Sequence, residues 1–235
     1  MSIRERIDQL NWVAIAAAMD SKGFALVKNV LTGDECDLLT AHYNDEHLYR
    51  KTIVMERHHY GQGEYKYFKY PLPALIQQLR ETVYPKVAPI ANNWMQLLNK
   101  EHSFPDTLDE LLQHCHEHDQ LRPTPLILQY VTGGYNAMHQ DLYGEVFFPM
   151  QLVFILDEPD VDYEGGEFIL MEQKPREQSR VMVLKPTKGD MLLFTTSYRP
   201  ARGSKGYHRV NMKHGVSEIS SGKRRGMGII FHDAK

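Results

Sequence analysis

The sequence predicts a mostly β protein with flanking helices, on three observations. Between residues 125 and 231, short apolar runs rich in β-branched and aromatic residues recur, each bounded by Asp, Pro, Gly or Lys clusters, which is the pattern of a sandwich or barrel. The amino-terminal half instead carries apolar positions at helical spacing. Among the strand-like runs sits His139-Gln140-Asp141, a histidine and a carboxylate two residues apart, which on a strand point the same way and can grip one cation.

Taken in order, Ile7 to Met19 reads as a helix and Gly23 to Val30 as a strand. Thr32-Gly-Asp-Glu35 offers a helix start, with Thr32 as cap and acids in the first turn. A longer helix is expected from Leu72 to Leu98, interrupted near Pro85 and Pro89, which oppose a smooth helix interior. These helices would cover the back of a sheet, with burial worth about 25 cal/mol per Å² of apolar surface. Pro125 to Tyr130 reads as a strand, and Val131-Thr-Gly-Gly-Tyr135 as a turn that delivers His139 to a strand edge. Strands follow at Phe147–Leu156, Gly165–Leu170, Val181–Leu184 and Gly189–Phe194, with Gly165-Gly166 serving a tight hairpin. The expected organisation is a single domain over 1–235, with a scaffold and substrate-facing segment at 1–123 and a catalytic core at 124–235.

Composition bounds the function. The chain has 235 residues and a net charge of −3, which argues against a general nucleic-acid coat. Its two cysteines, Cys36 and Cys115, are too few for a disulfide framework and fit a reducing compartment. There is no apolar run of membrane-spanning length, and Met1-Ser-Ile-Arg-Glu-Arg-Ile7 lacks the apolar centre of a signal peptide, so the expected location is cytoplasmic, with no membrane partner.

The chemistry suggested by His139 and Asp141 needs a third ligand. His214 lies 73 positions after Asp141, with His208 and His232 as rivals, and Arg224 follows His214 by ten. Two histidines and one carboxylate with open positions opposite make the facial triad of non-haem Fe(II) oxygenases, and an arginine nearby would pair with a keto acid's distal carboxylate. Strand alternation separates Arg224 from Arg225. If Arg224 faces inward, so do Gly226, Gly228 and Ile230, which leaves room beside a metal, while Met227, Ile229 and Phe231 face the helices.

Several pieces in order carry a family resemblance: Gln129-Tyr130, His139-x-Asp141, Tyr163-Glu-Gly-Gly-Glu167, Lys188-Gly-Asp-Met-Leu-Leu-Phe194, and His214 followed by Gly222-Lys-Arg224. Residues 124 to 232 thereby resemble the catalytic core of the Fe(II)/2-oxoglutarate-dependent oxygenases, most of all a bacterial and fungal subgroup linked to oxidative repair of methylated nucleic acid. The resemblance implies a double-stranded β-helix, a cupin-like jelly roll with amino-terminal helices on its major sheet. It implies Fe(II) on His139, Asp141 and His214, with the spacing to Gly222-x-Arg224 favouring His214, since His208 sits in a stretch that reads as loop. It implies 2-oxoglutarate on Arg224, a hydroxyl from Tyr130 on the same carboxylate, O₂ as oxidant, and succinate and CO₂ as products. Hydroxylation of an N-methyl group would then release formaldehyde. One departure stands out: the residue six beyond Arg224 is Ile230, where AlkB-type demethylases carry an arginine. A prolyl-type protein hydroxylase and a small-molecule hydroxylase are therefore the alternatives.

Two segments nominate a substrate surface. From Arg199 to Arg225 eight bases stand against a single acid, Glu218, a patch that could track phosphates. Arg57 to Tyr70 interleaves bases with aromatics, the composition of a stacking platform for unpaired bases. Arg57, Tyr65, Tyr67, Arg202 and Arg209 are the candidate substrate residues, with single-stranded or damaged nucleic acid as the partner they suggest. The His114-Cys-His-Glu-His118 cluster alternates too closely for one helix face, reads as a solvated loop or helix end, and is left out of the site.

Overall fold

The computed structural model describes residues 1–141, 144–174 and 176–235. The first expected helix is two. α1 (Ile3–Asp8) ends before Asn11, whose side chain accepts from the Ala14 amide and starts α2 (Trp12–Lys22). After β1 (Phe24–Val27), α3 (Gly33–His42) begins as expected, Thr32 and Glu35 forming a reciprocal capping box. β2 (Tyr49–Val54), a tight turn at Met55–His58, β3 (Gly61–Gln62) and β4 (Glu64–Phe68) lead to α4 (Ala74–Leu97).

α4 runs unbroken through Pro85 and Pro89, contrary to the expected interruption. Both prolines lie on its exposed face, four residues apart, whereas Ile76, Leu79, Val83, Val87 and Trp94 are buried on the other. The lost hydrogen bonds and displaced carbonyls face water, which solvates them, and burial of the apolar stripe holds the helix together. α5 (Leu108–Glu117) contains His114 and His116 in its last turn, with His118 as its cap, so the His-rich cluster is a helix end as expected.

The rest of the described chain is β: β5 (Leu126–Val131), β6 (Tyr135–His139), β7 (Met150–Ile155), β8 (Tyr163–Gly165), β9 (Phe168–Gln173), β10 (Arg180–Leu184), β11 (Met191–Thr195), β12 (Tyr198–Gly203), β13 (Gly206–Val216) and β14 (Ile219–Ile230). One sheet has the order β1-β11-β7-β14-β5-β4-β2, with β8 also on β14; the other has β10-β9-β13-β6-β3, with β12 also on β13. All named pairings are antiparallel, and the two sheets make the expected jelly roll. His208 is on strand β13, not in a loop, because the glycine-flanked basic stretch pairs across the β12–β13 hairpin as Ala201 with His208.

Strand alternation divides the interior. Met150, Leu152 and Phe154 of β7 and Met227 and Ile229 of β14 join the large core shared with α1 to α5. Val153 and Ile155 face the other way, into a smaller core between the sheets with Leu170, Leu192 and Phe194. The helices thus cover the larger sheet, and the space between sheets is only partly filled.

The carboxy terminus is tied down by a buried ion pair. Arg80 of α4 donates to Asp233 at 2.8 Å and to the Phe231 carbonyl at 2.7 Å, and both charged side chains are fully buried. Tyr70 donates to the same carboxylate and accepts from Arg80. Removing Arg80 leaves the buried Asp233 carboxylate with His116, 3.2 Å away, and the Tyr70 hydroxyl as its remaining partners. Arg80→Met is expected to lower stability by about 3–5 kcal/mol in urea unfolding, and a loss below about 1 kcal/mol would show that the pair does not anchor the terminus.

Candidate active site

The antiparallel pairing of β6 with β13 sets His139 directly opposite His214, their rings 4.2 Å apart between centroids. Asp141 follows just beyond the end of β6. Its Oδ1 is 3.4 Å from His139 Nε2 and its Oδ2 3.2 Å from His214 Nε2. The three ligand atoms lie within 4.8 Å of one another, and no other described trio of His, Cys, Asp or Glu could hold a metal in this way. His139 Nδ1 donates to the Ala137 carbonyl at 2.7 Å, which puts the proton on Nδ1 and leaves the Nε2 lone pair toward the site. The rivals lie elsewhere: His208 is exposed on the hairpin, and buried His232 accepts from the Phe148 amide through Nδ1.

Electrostatics suit a cation. Burial alone would raise the Asp141 carboxyl, but His214 and His139 overcome it and hold the group well below the usual carboxylate range. His214 is the more deeply buried imidazole, and desolvation pushes it below its ordinary value despite Asp141. For His139 burial is outweighed by the hydrogen bond and charge of Asp141, and the group is raised. Asp141 is thereby favoured as a carboxylate and His214 as a neutral imidazole, the forms in which these two groups bind a divalent metal.

These side chains open on a cavity of about 330 Å³ between the sheets. Arg224 enters it from β14, directly opposite Tyr130 of β5. Gly228 and Ile230 line the cavity, while Met227, Ile229 and Phe231 lie in the helix-side core, so the expected register holds. Arg224 is 2% exposed, its Nε has no hydrogen-bond partner, and no carboxylate of the described residues forms an ion pair with it. A buried guanidinium in that state is costly until an anion arrives. Arg225, by contrast, points to the other face and closes on Asp157 at 2.6 Å. Tyr130 is fully buried, its ring 5.7 Å from the Arg224 guanidinium; its hydroxyl accepts from Asn136 at 3.3 Å and is pushed up to about 12, by burial first. Gly166 is at the β8–β9 turn with φ +64°, and a Cβ there would meet Arg224 Cδ at 2.9 Å, so this glycine serves both the hairpin and the arginine.

The segment from Met55 to Phe68 is a strap across one end of the cavity. β3 pairs with β6 of one sheet and β4 with β5 of the other, so the strap ties the sheets together. Tyr65 and Tyr67 point into the cavity from β4 and meet edge to face at 5.4 Å, with His59 and Tyr60 also on its wall. Arg57 is exposed in the preceding turn and does not line the cavity.

The basic stretch is dispersed, and the structure does not gather it around the pocket. Arg199 is buried against Glu172, Arg224 enters the cavity and Arg225 holds Asp157. Arg202, Lys205 and Arg209 are exposed on the β12–β13 hairpin, with the Arg209 guanidinium 4.2 Å from the centre of the Tyr198 ring. At about 3.3 Å per residue, Arg209 stands roughly 16 Å along β13 from His214. The hairpin is legible in the sequence as basic, but not as a strand pair projecting away from the site.

Two residues of the site are not evident from the sequence. Gln151 of β7 donates to Asp141 Oδ2 at 2.7 Å, and Gln140 donates to the Ser197 and Met212 carbonyls at 2.7 and 2.9 Å. A signal exists for the first: Gln151 is the lone polar residue in the apolar run from Phe147 to Leu156.

Fold, triad and buried arginine together define an oxygenase of the Fe(II)/2-oxoglutarate-dependent class. Residues 63–234 match the family Oxygenase-NA, described as an oxygenase catalysing oxidative methylation of damaged DNA, and the chain belongs to this family. Two uncharacterised proteins of Mycobacterium tuberculosis strains, MT2286 and Rv2227, are each 48% identical over 167 residues, covering 71% of this chain and 72% of theirs. The fold is similar to that of a Pseudomonas putida prolyl-4-hydroxylase (TM-score 0.56, 12% identity, 95% of this chain and 99% of that one). It is also similar to a Trichoplax adhaerens prolyl hydroxylase solved with a hypoxia inducible factor peptide fragment (TM-score 0.59, 13% identity, 97% and 90%). A 2OG-Fe(II) oxygenase family oxidoreductase from Burkholderia pseudomallei aligns comparably (TM-score 0.57, 12% identity, 96% and 94%).

The strap depends on Gly61, whose φ is +132° and whose added Cβ would meet the Tyr135 carbonyl oxygen at 2.3 Å. Gly61→Ala is expected to lower stability by about 1–3 kcal/mol and to increase quenching of tyrosine fluorescence by acrylamide as the strap lifts. Wild-type stability with unchanged quenching would contradict the pairing of β3 with β6.

Proposed function

We propose that His139, Asp141 and His214 hold Fe(II), that Arg224 binds the distal carboxylate of 2-oxoglutarate, and that the enzyme oxidises an alkyl group on unpaired nucleic acid. The observation that carries the cosubstrate reading is Arg224, buried without an anionic partner among the described residues in the cavity that also holds the triad. With both bound, Fe(II) and 2-oxoglutarate supply the oxidising chemistry, in which O₂ and the keto acid give succinate, CO₂ and one oxygen atom for a C–H bond.

The chain's own residues bind, orient and exclude. Arg224 offers a planar fork for a carboxylate, and Tyr130, beside it, presents its hydroxyl to the same region. Leu126, Leu128 and Ile230 give the cavity apolar walls that keep water from the reacting group. Tyr65 and Tyr67 offer ring faces and edges against which a flat substrate group is held.

The nucleic-acid substrate rests on the family's description and on these aromatic walls. An alkylated base has one face for a tyrosine and carries its methyl at the rim, and loss of a hydroxylated N-methyl group as formaldehyde restores the base. An acidic metabolite is less well served, because Arg224 is the only Lys or Arg among the described residues lining the cavity. Protein hydroxylation is the second reading, favoured by Ile230 on the cavity wall in the position where AlkB-type demethylases carry a second arginine.

Incubation of the Fe(II)-loaded protein with 2-oxoglutarate and either N-methylated single-stranded oligonucleotides or proline-containing peptides distinguishes these readings. Succinate and formaldehyde should form together with the oligonucleotides. Succinate stimulated only by peptides, without formaldehyde, would replace the proposal with the protein hydroxylase.

Arg224→Ala should weaken 2-oxoglutarate binding by about 2–5 kcal/mol while leaving divalent metal binding near wild type, as expected when one partner of a dry charge pair is removed. Arg225→Ala should lower stability through loss of the Asp157 pair and leave 2-oxoglutarate affinity unchanged. The reverse ranking in calorimetric titration would place the wrong arginine in the cavity.

Tyr65→Ala or Tyr67→Ala should cost about 1–3 kcal/mol in oligonucleotide binding with little change in salt dependence. Replacing Arg202, Lys205 and Arg209 with Ser should instead flatten that dependence, by a slope of about 0.7 for each phosphate no longer neutralised, and only for oligonucleotides long enough to reach the hairpin. Binding that is insensitive to both sets would remove nucleic acid as the substrate.

A further inference from the structure

His139 and His214 come from opposed strands of one sheet, whereas Asp141 lies beyond the end of β6, its amide donating to the Thr196 carbonyl at 3.3 Å. Two glutamines add side-chain contacts to this segment. Gln140, between the two ligands of the His-x-Asp motif, spends both protons of its amide on buried carbonyls, Ser197 at 2.7 Å and Met212 at 2.9 Å. Met212 is two residues before His214 on β13, so Gln140 fastens the segment that carries His139 and Asp141 to the strand that carries His214.

Gln151 approaches from the opposite sheet. It is 5% exposed, and the inward row of β7 to which it belongs continues as Val153 and Ile155, both in the apolar core between the sheets. A buried amide in such a row is costly unless it finds partners. The nitrogen of Gln151 is 2.7 Å from Asp141 Oδ2 and 3.4 Å from His214 Nε2, so one side chain touches a ligand that follows β6 and a ligand from β13.

We propose that Gln140 and Gln151 are positioning residues that clamp the Asp141 carboxylate against the two histidines, and that the clamp sets the affinity of the site for a divalent metal. The inference rests on the reading of His139, Asp141 and His214 as ligands and deepens it. Gln151 donates to Oδ2 and so fixes the plane of the carboxylate. Gln140 fixes the backbone from which that carboxylate springs. Both act through the ligands.

The test uses the full chain with Mn(II) or Co(II) alone, without 2-oxoglutarate or turnover. Gln151→Leu keeps the volume and removes the donor, and Gln151→Asn keeps the amide but shortens its reach, so the second guards against a folding defect in the first. Gln140→Leu tests the other half of the clamp. Each variant is expected to bind Mn(II) about 10–100-fold more weakly than wild type, the usual consequence of losing a ligand's outer partner, with a shifted Co(II) absorption spectrum and a metal-free melting curve close to wild type. Binding within twofold of wild type and an unchanged Co(II) spectrum in both Gln151 variants would overturn the clamp while leaving the triad standing. Failure of wild-type protein to bind either metal would remove the triad reading and the clamp with it.

Discussion

Everything proposed for the site depends on the register in which β6 pairs with β13. His139 and His214 are 75 positions apart in the chain and become direct cross-strand partners only in that register. A slip of one residue would turn one imidazole to the outer face of the sheet and separate it from Asp141. The register is held from both sides: β13 is paired with β9 from Asn211 to Val216, and Gln140 hydrogen-bonds the Met212 carbonyl on the same strand. The metal-type geometry is therefore a consequence of sheet pairing, and the loop after β6 only has to bring one carboxylate to a place already defined.

The second constraint is the alternation along β14. The same strand sends Arg224, Gly228 and Ile230 to the cavity and Met227 and Ile229 to the helix-side core. Burial of the outward residues fixes the position of the inward ones, so the hydrophobic packing of α4 against the larger sheet is also what holds the guanidinium in place. The charges on the two sheets differ in kind. The carboxylate of Asp141 is compensated by imidazoles, whereas Arg224 has no carboxylate partner among the described residues and lies beside Tyr130 and Tyr163, whose ring centres are 5.7 and 6.0 Å away. A cavity with one compensated anion and one uncompensated cation is suited to take up a metal and a keto acid together.

Much of this is legible in the sequence because it depends on period and spacing. Strands β5, β7, β9, β10, β11 and β14, the Thr32 cap, the triad and the inward face of Arg224 follow from alternation, turn residues or motif order. Sequence reasoning fails where tertiary packing overrides a local rule. Pro85 and Pro89 look like breaks, yet they face solvent on a helix whose other side is buried. His208 looks like loop because glycines and bases flank it, yet a hairpin needs only a partner strand, which β12 supplies. Gln140 stays hidden because an amide carries no signal of its own until its neighbours are known, and Gln151 shows only as a lone polar residue in an apolar run. The basic residues from Arg199 to Arg225 look like one patch because sequence counts charge without direction, whereas in the fold they point to different faces.

The central claim is that one cavity takes Fe(II) on the triad and 2-oxoglutarate on Arg224 at the same time. Anaerobic titration of Fe(II)-loaded protein with 2-oxoglutarate tests it directly, since a keto acid chelated to Fe(II) gives a visible charge-transfer absorption that neither component has alone. This absorption is expected to appear and saturate at one keto acid per chain, to be lost in His214→Ala, and to need far more 2-oxoglutarate in Arg224→Ala. Absence of the absorption in wild-type protein, or its appearance at the same concentrations in Arg224→Ala, would contradict the account.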